Sequence, residues 1–244
     1  WKDQSAARMH ILSAYAHEAG LVMGQRAVDG RSNEITAIPE LLSSLALEGA
    51  IVTIDAMGCQ KEVARHIVDA GADYMLALKG NQGELHTDVA DYFADTELSK
   101  ACQTTTTVDT GHGRIEERTC RCADAHWLAE RHPDWPRLAG IVEVTARRTD
   151  KATGHIANET RYYITSLPPE PEQMLAASRA HWSIENKLHW HLDVTFREDA
   201  NRTRTDYAPQ NLAIMRKCVL NLAKQESSKI PIKRKRLMAS MSRQ

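Results

Sequence analysis

The sequence lacks a long apolar run, a signal peptide and a strong net charge. No stretch of its 244 residues approaches the roughly 18 apolar residues that a membrane-spanning helix needs. The first residues, Trp1 to Gln4, do not resemble a signal peptide. We therefore expect a cytoplasmic protein with no membrane partner.

The cysteines do not form a recognisable disulfide framework. They are odd in number and scattered along the chain, at Cys59, Cys102, Cys120, Cys122 and Cys218. The hydrophobic fraction of 42% is enough for a sizeable core, and the length fits one compact domain or one domain with an insertion.

The charge is unevenly distributed although the net charge is only −1. Residues 197–244 hold 12 Lys and Arg against 4 Asp and Glu, so the remainder holds 19 basic and 28 acidic residues. Such asymmetry is typical of a protein in which one region meets a polyanion and another holds cations. A solvated basic tail explains the pattern equally well.

The first hundred residues predict alternating strands and helices. Met9–Ala16 and Leu21–Val28 read as a hairpin, and a helical pattern follows from Asn33 to about Gly49. Ala50–Asp55 and Tyr74–Lys79 are short apolar runs typical of strands buried on both faces. Helices are expected after each, the first ending at Gly71 and the second running from about Glu84 to Phe93, which gives the order β-β-α-β-α-β-α.

The middle of the chain changes character. Four strands are predicted there, at 104–108, 115–120, 139–147 and 160–165, and they resemble an inserted, largely antiparallel piece. Pro168, Pro169 and Pro171 interrupt regular structure. Helical patterns then return from Glu172 to His191 and from Pro209 to Gln225.

Two carboxylates stand at positions of interest. Asp55 ends a buried apolar strand, where reactive groups of α/β sheets are often found, although an Asp there is also a common helix N-cap. On the predicted helix, Ile184, Leu188 and Leu192 form a buried stripe, and Glu185 lies at its edge. From position alone, a surface Glu without a catalytic role is the favoured interpretation.

The residues around both carboxylates carry a resemblance. The string from Arg179 to Asp199 reads RAHWSIENKLHWHLDVTFRED, and it resembles the glutamate-bearing block of the H-repeat-associated transposases of bacterial insertion sequences. Other blocks agree in order, namely LSAY at 12–15, GLVMGQ at 20–25, NEI at 33–35, TIDAM at 53–57, LKGNQ at 78–82, HGRIE at 112–116 with Arg118, and RYYI at 161–164.

The resemblance implies the fold, the chemistry and the ligands. The fold implied is an RNase H-like mixed α/β sheet flanked by helices, with a β-rich insertion before the C-terminal helices. Asp55 matches the second catalytic aspartate of these DDE enzymes and Glu185 the catalytic glutamate. Both are then expected to hold Mg²⁺ or Mn²⁺, since two divalent cations activate the attacking oxygen and stabilise the leaving one in phosphoryl transfer. The implied substrates are double-stranded DNA at insertion-sequence ends and target DNA, and homodimer formation is left open.

The chain departs from the family pattern in two places. The first catalytic aspartate belongs to an Ile-Asp-Gly-Lys-like block that precedes the Met9 hairpin, and Asp3 has no matching context. We therefore expect this chain to be inactive in isolation. In the Tyr-x2-Arg-x3-Glu-x6-Lys signature of related elements, Ser178, His181 and Leu192 replace the Tyr, Arg and Lys. The phosphate contact of that Arg is then expected from His181, Arg179 or Lys187.

Further polar residues are candidates for DNA contact. Lys79, Asn81 and Gln82 follow a strand next to the expected site, and His112, Arg114 and Arg118 lie at a Gly-flanked strand start. A polar turn and a solvated hairpin are the alternative interpretations. The cluster Lys233–Arg236 is expected either to follow the DNA backbone or to stay disordered. Trp182, His189 and Trp190 are candidates for base stacking, with packing of the tryptophans as the favoured use.

Together these patterns predict four segments. Residues 1–100 form the first part of the catalytic domain, 101–168 the β-rich insertion, 169–225 the C-terminal helices with Glu185, and 226–244 a basic tail. Two other functions stay open: a non-catalytic DNA-binding remnant of a transposase, and another RNase H-like nuclease such as a resolvase or ribonuclease.

Overall fold

The computed structural model describes residues 10–28, 34–111 and 113–241. The chain divides into two compact units. We call Ala46–His181 the sheet unit, and we call Trp1–Leu45 together with Trp182–Gln244 the hairpin unit. This division crosses the predicted segments 1–100 and 169–225, and the four predicted segment boundaries stay a prediction.

The sheet unit is built on six strands in the order β3-β4-β8-β7-β6-β5. The strands are β3 (Ile51–Ile54), β4 (Asp73–Leu78), β5 (Gln103–Gly111), β6 (Arg114–Asp124), β7 (Gly140–Asp150) and β8 (Ile156–Thr165). β3 and β4 are parallel, and every other pair is antiparallel. The expectation of a mixed sheet is confirmed, and the four strands of the 101–168 segment join β4 through β8 in one continuous sheet.

Helices cover both faces of this sheet. The helices of the unit are α2 (Lys61–Asp69), α3 (Gly83–Ala94), α4 (His126–Arg131) and α5 (Pro171–Ile184), which continues past His181 into the hairpin unit. On one face, Phe93 of α3 stacks on Tyr162 of β8 with ring centroids 6.1 Å apart. On the other, Met174 and Leu175 of α5 pack against Cys120, Cys122 and Val142. The predicted α/β class with flanking helices is thereby confirmed.

The hairpin unit contains β1 (His10–Ala16) and β2 (Leu21–Val28), which pair antiparallel as a two-stranded sheet. Gly20 closes the turn with φ of 69°, a backbone conformation that favours glycine. The predicted hairpin is therefore present, and among the described strands β1 and β2 pair only with each other. The helix α1 (Glu34–Leu42) follows, and Asn33, its predicted first residue, lies outside the described residues.

The rest of the hairpin unit is helical. Beyond α5, the segments Glu185–His189 and His191–Thr195 have π-helical geometry, and α6 (Ala208–Gln225) and α7 (Ile232–Met241) complete the unit. Its small core consists of Leu188, Leu192 and Leu220, with Ile184 packed against them. The predicted stripe of Ile184, Leu188 and Leu192 is confirmed by this burial.

The basic cluster Lys233–Arg236 lies on α7 and is not disordered. Arg236 donates to the Thr195 carbonyl and lies over the Phe196 ring, with its guanidinium carbon 5.3 Å from the centroid. Lys235 donates to the carbonyls of Ala223 and Glu226. Periodicity did not predict α7 because its apolar residues make no buried stripe. No helix in the described part of the chain is long and apolar enough to cross a membrane.

Candidate active-site residues

Asp55 directly follows the short strand β3, at the end where the neighbouring parallel strand β4 also finishes. Its Oδ1 accepts the backbone N–H groups of Met57 at 3.2 Å and Gly58 at 3.4 Å, so Asp55 caps a short 3-10 turn at Ala56–Gly58. The residue is exposed, and no other described residue donates to its carboxylate. The N-cap interpretation therefore holds, and it leaves Oδ2 open to a ligand.

Two side chains from the end of β4 brace the turn after Asp55. Asn81 Nδ2 donates to the Ala56 carbonyl at 2.7 Å, and Gln82 Nε2 donates to the Cys59 carbonyl at 2.6 Å. Lys79 precedes the 3-10 turn Gly80–Gln82 and is exposed. The structure thus brings Asn81 and Gln82 to the Asp55 turn, and it gives the two amides a backbone-bracing role that their sequence pattern did not reveal.

His181 lies beside the same strand. Its Nδ1 is 3.2 Å from the Thr53 hydroxyl, two residues before Asp55. Because alternate residues of a strand point to the same face, Thr53 and Asp55 share one side of β3. His181 therefore lies beside the strand that Asp55 follows, and its expected phosphate contact stays a prediction.

Two candidate DNA-binding arginines of the sheet unit, Arg118 and Arg179, belong to an ion-pair network. Asp109 Oδ2 accepts from Arg118 at 2.7 Å and from Arg179 at 3.0 Å, and Arg118 also reaches Glu116 at 2.6 Å. Glu116 in turn pairs with Arg148 at 2.7 Å, and its pKa is lowered by Arg148, Arg118 and Arg114 against the opposing effect of burial, which is the largest single influence. Arg114 is exposed at the β5–β6 turn, whereas His112 lies outside the described residues.

Glu185 belongs to the hairpin unit, where it begins the first π-helical segment. It is exposed, one residue after the partly buried Ile184. Glu185 also acts on Asp193, whose pKa is raised first by burial and then by the charges of Asp199 and Glu185, while His189 opposes the shift. Lys187 is exposed, and its carbonyl accepts from Lys224 Nζ at 2.7 Å.

The tryptophans near Glu185 lie at the surface. Trp182 is 41% exposed and Trp190 is 51% exposed. The buried stripe of this segment is formed by Leu188 and Leu192, and the favoured interpretation that both tryptophans pack the helix against the sheet stays a prediction.

The sequence of this chain matches a known protein family. The family described as "Transposase DDE domain" matches residues 2–222. "Putative transposase YncI" of Escherichia coli O157:H7 is 36% identical over 253 residues, which cover 99% of this chain and 63% of that protein. "H repeat-associated putative transposase YhhI" of Escherichia coli K12 is 36% identical, with 99% and 65% covered.

The chain belongs to the DDE transposase domain family. The resemblance to H-repeat-associated transposases is confirmed by the same relatives. The chain spans about two thirds of the length of those relatives, 63% to 65%. A piggyBac transposase synaptic complex with hairpin DNA matches 96% of this chain and 46% of that chain at 10% identity, with a TM-score of 0.44.

The two carboxylates expected of a DDE domain lie in different units, Asp55 in the sheet unit and Glu185 in the hairpin unit. Carboxylate oxygens are the ligands that Mg²⁺ and Mn²⁺ prefer, so the chemistry of both residues fits such a cation. Among residues 10–28, 34–111 and 113–241, no three His, Cys, Asp or Glu side chains form a group that could hold a metal ion. The roles of Asp55 and Glu185 stay predictions.

Sequence reasoning missed Thr53 and Asp109. Asp109 joins Arg118 and Arg179, which are nine residues and seventy residues further along the chain. The first pairing is across the β5–β6 hairpin, where register would have revealed it once both strand limits were known. The second has no local signal, since it depends on where α5 crosses the sheet.

Proposed function

We propose that this chain is the greater part of a transposase catalytic domain that cuts DNA at insertion-sequence ends and joins those ends to target DNA. Asp55 and Glu185 are two of the carboxylates that hold Mg²⁺ or Mn²⁺ in this proposal. Membership of the DDE family supports it, and so does the retention of an Asp and a Glu in the family's own sequence surroundings.

The observation that carries the proposal is the presentation of Asp55. Two backbone N–H groups fix Oδ1, two amide side chains fix the carbonyls on either side of the turn, and the residue remains exposed. A carboxylate that only capped a turn would not need its own turn braced from the neighbouring strand. A metal ligand does, because its oxygens must be held close to the productive geometry.

When bound, divalent cations would supply activation of the attacking oxygen and stabilisation of the leaving oxygen. The chain's own residues would then orient the DNA. His181, which lies beside Thr53, and the exposed Lys79, which follows β4, would present cationic or hydrogen-bonding groups to a phosphate. Arg114 is exposed at the hairpin turn and would contact the DNA backbone, whereas a phosphate at Arg118 or Arg179 would compete with Asp109.

The test is metal-dependent cleavage of DNA that carries the ends of the element encoding this protein, using the full-length protein as encoded. Asp55→Asn and Glu185→Gln are each expected to abolish cleavage while leaving DNA binding intact. Asp69→Asn, which changes an exposed Asp at the end of α2, is the matched control and should leave cleavage unchanged. Retention of wild-type cleavage by either site variant would overturn the assignment.

The same assay distinguishes the other functions. Another RNase H-like nuclease would cut RNA–DNA hybrids in preference to transposon-end DNA, and a non-catalytic remnant would bind the ends without cutting them. The inactivity of this chain in isolation stays a prediction, and appreciable Mg²⁺-dependent strand cleavage by the purified chain would contradict it.

A further inference from the structure

The helix α6 places polar side chains inside the hairpin unit. Lys217 is only 5% exposed and donates to Gln25 Oε1 at 2.7 Å. Asn221 binds both backbone groups of Val22, accepting its N–H at 2.9 Å and donating to its carbonyl at 2.9 Å. Lys224 donates to the Gly20 carbonyl at 3.0 Å. The inner face of α6 therefore holds the hairpin by these hydrogen bonds together with the buried Leu220, whose cluster packs against Tyr15 and Val22.

The outer face of α6 is apolar and uncharged. Met215 is 62% exposed and Leu222 is 67% exposed, and Ile214, Val219 and Cys218 are exposed with them. The next exposed residues towards the two helix ends are the neutral amides Asn211 and Gln225. We call these seven residues the α6 stripe. A surface helix normally exposes a polar side, so an apolar side that is exposed in addition to the buried one is typical of a face that is covered by a partner.

The spacing of the α6 stripe matches a helix–helix seam. Asn211, Met215, Cys218, Leu222 and Gln225 alternate steps of four and three residues, the spacing of positions that meet a second helix. The stripe carries no Lys, Arg, Asp or Glu along its length. A polyanion such as DNA would find no cation on it, whereas another apolar helix face would fit.

The stripe is also nearly symmetric about Cys218. Ile214 and Leu222 lie four residues on either side of Cys218, and Asn211 and Gln225 lie seven residues on either side. In an antiparallel pair of α6 helices, apolar residues would meet apolar residues and the amides would meet at both ends. A twofold interface needs such a self-complementary patch.

We propose that the α6 stripe is the interface between two copies of this chain, packed antiparallel about a twofold axis near Cys218. An 18-residue helix is about 27 Å long, and one helix pair buries less than the roughly 800 Å² per partner of a stable interface. The neighbouring helix α7 adds exposed Leu237, Met238 and Met241, and Lys235 fastens it to the Ala223 carbonyl at the end of α6. The interface thus extends beyond α6 itself.

The first experiment uses Cys218, which the proposed axis brings next to its copy. The full chain carrying Cys102→Ser keeps Cys218 as its one exposed cysteine among the described residues, since Cys59, Cys120 and Cys122 are buried. Treatment with a short bismaleimide is expected to give a covalent dimer, and adding Cys218→Ser should abolish it. If the Cys102→Ser chain gave no covalent dimer through Cys218, the proposed axis would be overturned.

The second experiment measures the mass of the assembly by analytical ultracentrifugation. Leu222→Glu is expected to shift the chain from dimer to monomer, because the carboxylate of each copy would be buried against the apolar α6 stripe of the other copy. Val108→Glu is the matched control, since it adds the same charge to an apolar residue that is 61% exposed on β5. Circular dichroism of both variants establishes that each is folded. A wild-type chain that is monomeric at all concentrations, or a dimer insensitive to Leu222→Glu, would overturn the proposal.

Neither experiment depends on catalysis. A dimer would form through α6 whether or not Asp55 and Glu185 hold metal, so failure of the interface and failure of the proposed function are separate results.

Discussion

The buried Lys217 makes the stability of the hairpin unit depend on pH in a way that can be calculated. Burial lowers the pKa of Lys217 from 10.5 to about 8, and the nearby charge of Glu198 opposes this lowering. At about 1.4 kcal/mol per pH unit, the charged form costs the folded state roughly 3 to 4 kcal/mol.

The sign follows from proton uptake. Below pH 8 Lys217 is protonated in both states, so the folded state bears the full cost of burying the charge. Between pH 8 and 10.5 the folded state loses this proton while the unfolded chain keeps it, so the free energy of unfolding rises with pH. Above 10.5 both states are neutral at this side chain, and the cost has disappeared.

The assay is urea denaturation of the wild type and of Lys217→Met at a series of pH values from about 7 to 10.5. The free energy of unfolding of the wild type minus that of the variant is expected to increase by about 2 to 3 kcal/mol across this range. The subtraction cancels the contribution of the other titrating groups to the pH dependence, including that of Tyr15, whose pKa is raised by burial. Lys229→Met, at an exposed lysine, is the control and should give a flat difference. A flat difference for Lys217→Met as well would refute the reasoning.

Two further predictions concern the Asp55 turn and the core of the hairpin unit. Asn81→Ala removes the donor to the Ala56 carbonyl without adding a metal ligand, so we expect a loss of about 1 kcal/mol in the free energy of unfolding and weaker Mn²⁺ binding by titration calorimetry. Asn158→Ala, at an exposed strand position, should change neither, and equal effects of the two variants would argue against the bracing role. Leu188→Ala removes a fully buried side chain and is expected to cost about 2 to 5 kcal/mol by urea denaturation, whereas Leu98→Ala, at a residue that is 47% exposed, should cost under about 0.5 kcal/mol. Similar costs for the two leucines would contradict the burial of Leu188.

The parts of the fold that the sequence predicted well are those where burial shapes a local pattern. β3 and β4 are short apolar runs, and Leu188 and Leu192 repeat at helical spacing, so each could be recognised without knowing its neighbours. β5 extends beyond its predicted end at Val108 through Asp109, Thr110 and Gly111, which are exposed, so no alternation of burial marks them. β6 extends to Asp124 through the buried Cys122 and Ala123, because it stays paired with β7 over its whole length.

The surroundings of Asp55 were only partly predictable for a different reason. Its position after β3 follows from a local rule, but its bracing by Asn81 and Gln82 depends on the parallel pairing of β3 with β4. α6 misleads in the opposite direction, since periodicity would place the Met215 side inward. Hydrogen bonds from Lys217, Asn221 and Lys224 decide its orientation instead, and such bonds leave no mark in a hydrophobic pattern.

The two bonds between Asn221 and Val22 also bear on aggregation. β2 pairs with β1 along one side, and the Val22 N–H and carbonyl that Asn221 binds would otherwise be free to pair with a strand from another molecule. The Asn221 amide therefore makes the two hydrogen bonds that a neighbouring strand would make with Val22 at the edge of the hairpin. Loss of Asn221 would leave the N–H and carbonyl of Val22 unpaired and open to a strand of another molecule. Asn221 is therefore expected to protect the hairpin from aggregation through β-pairing.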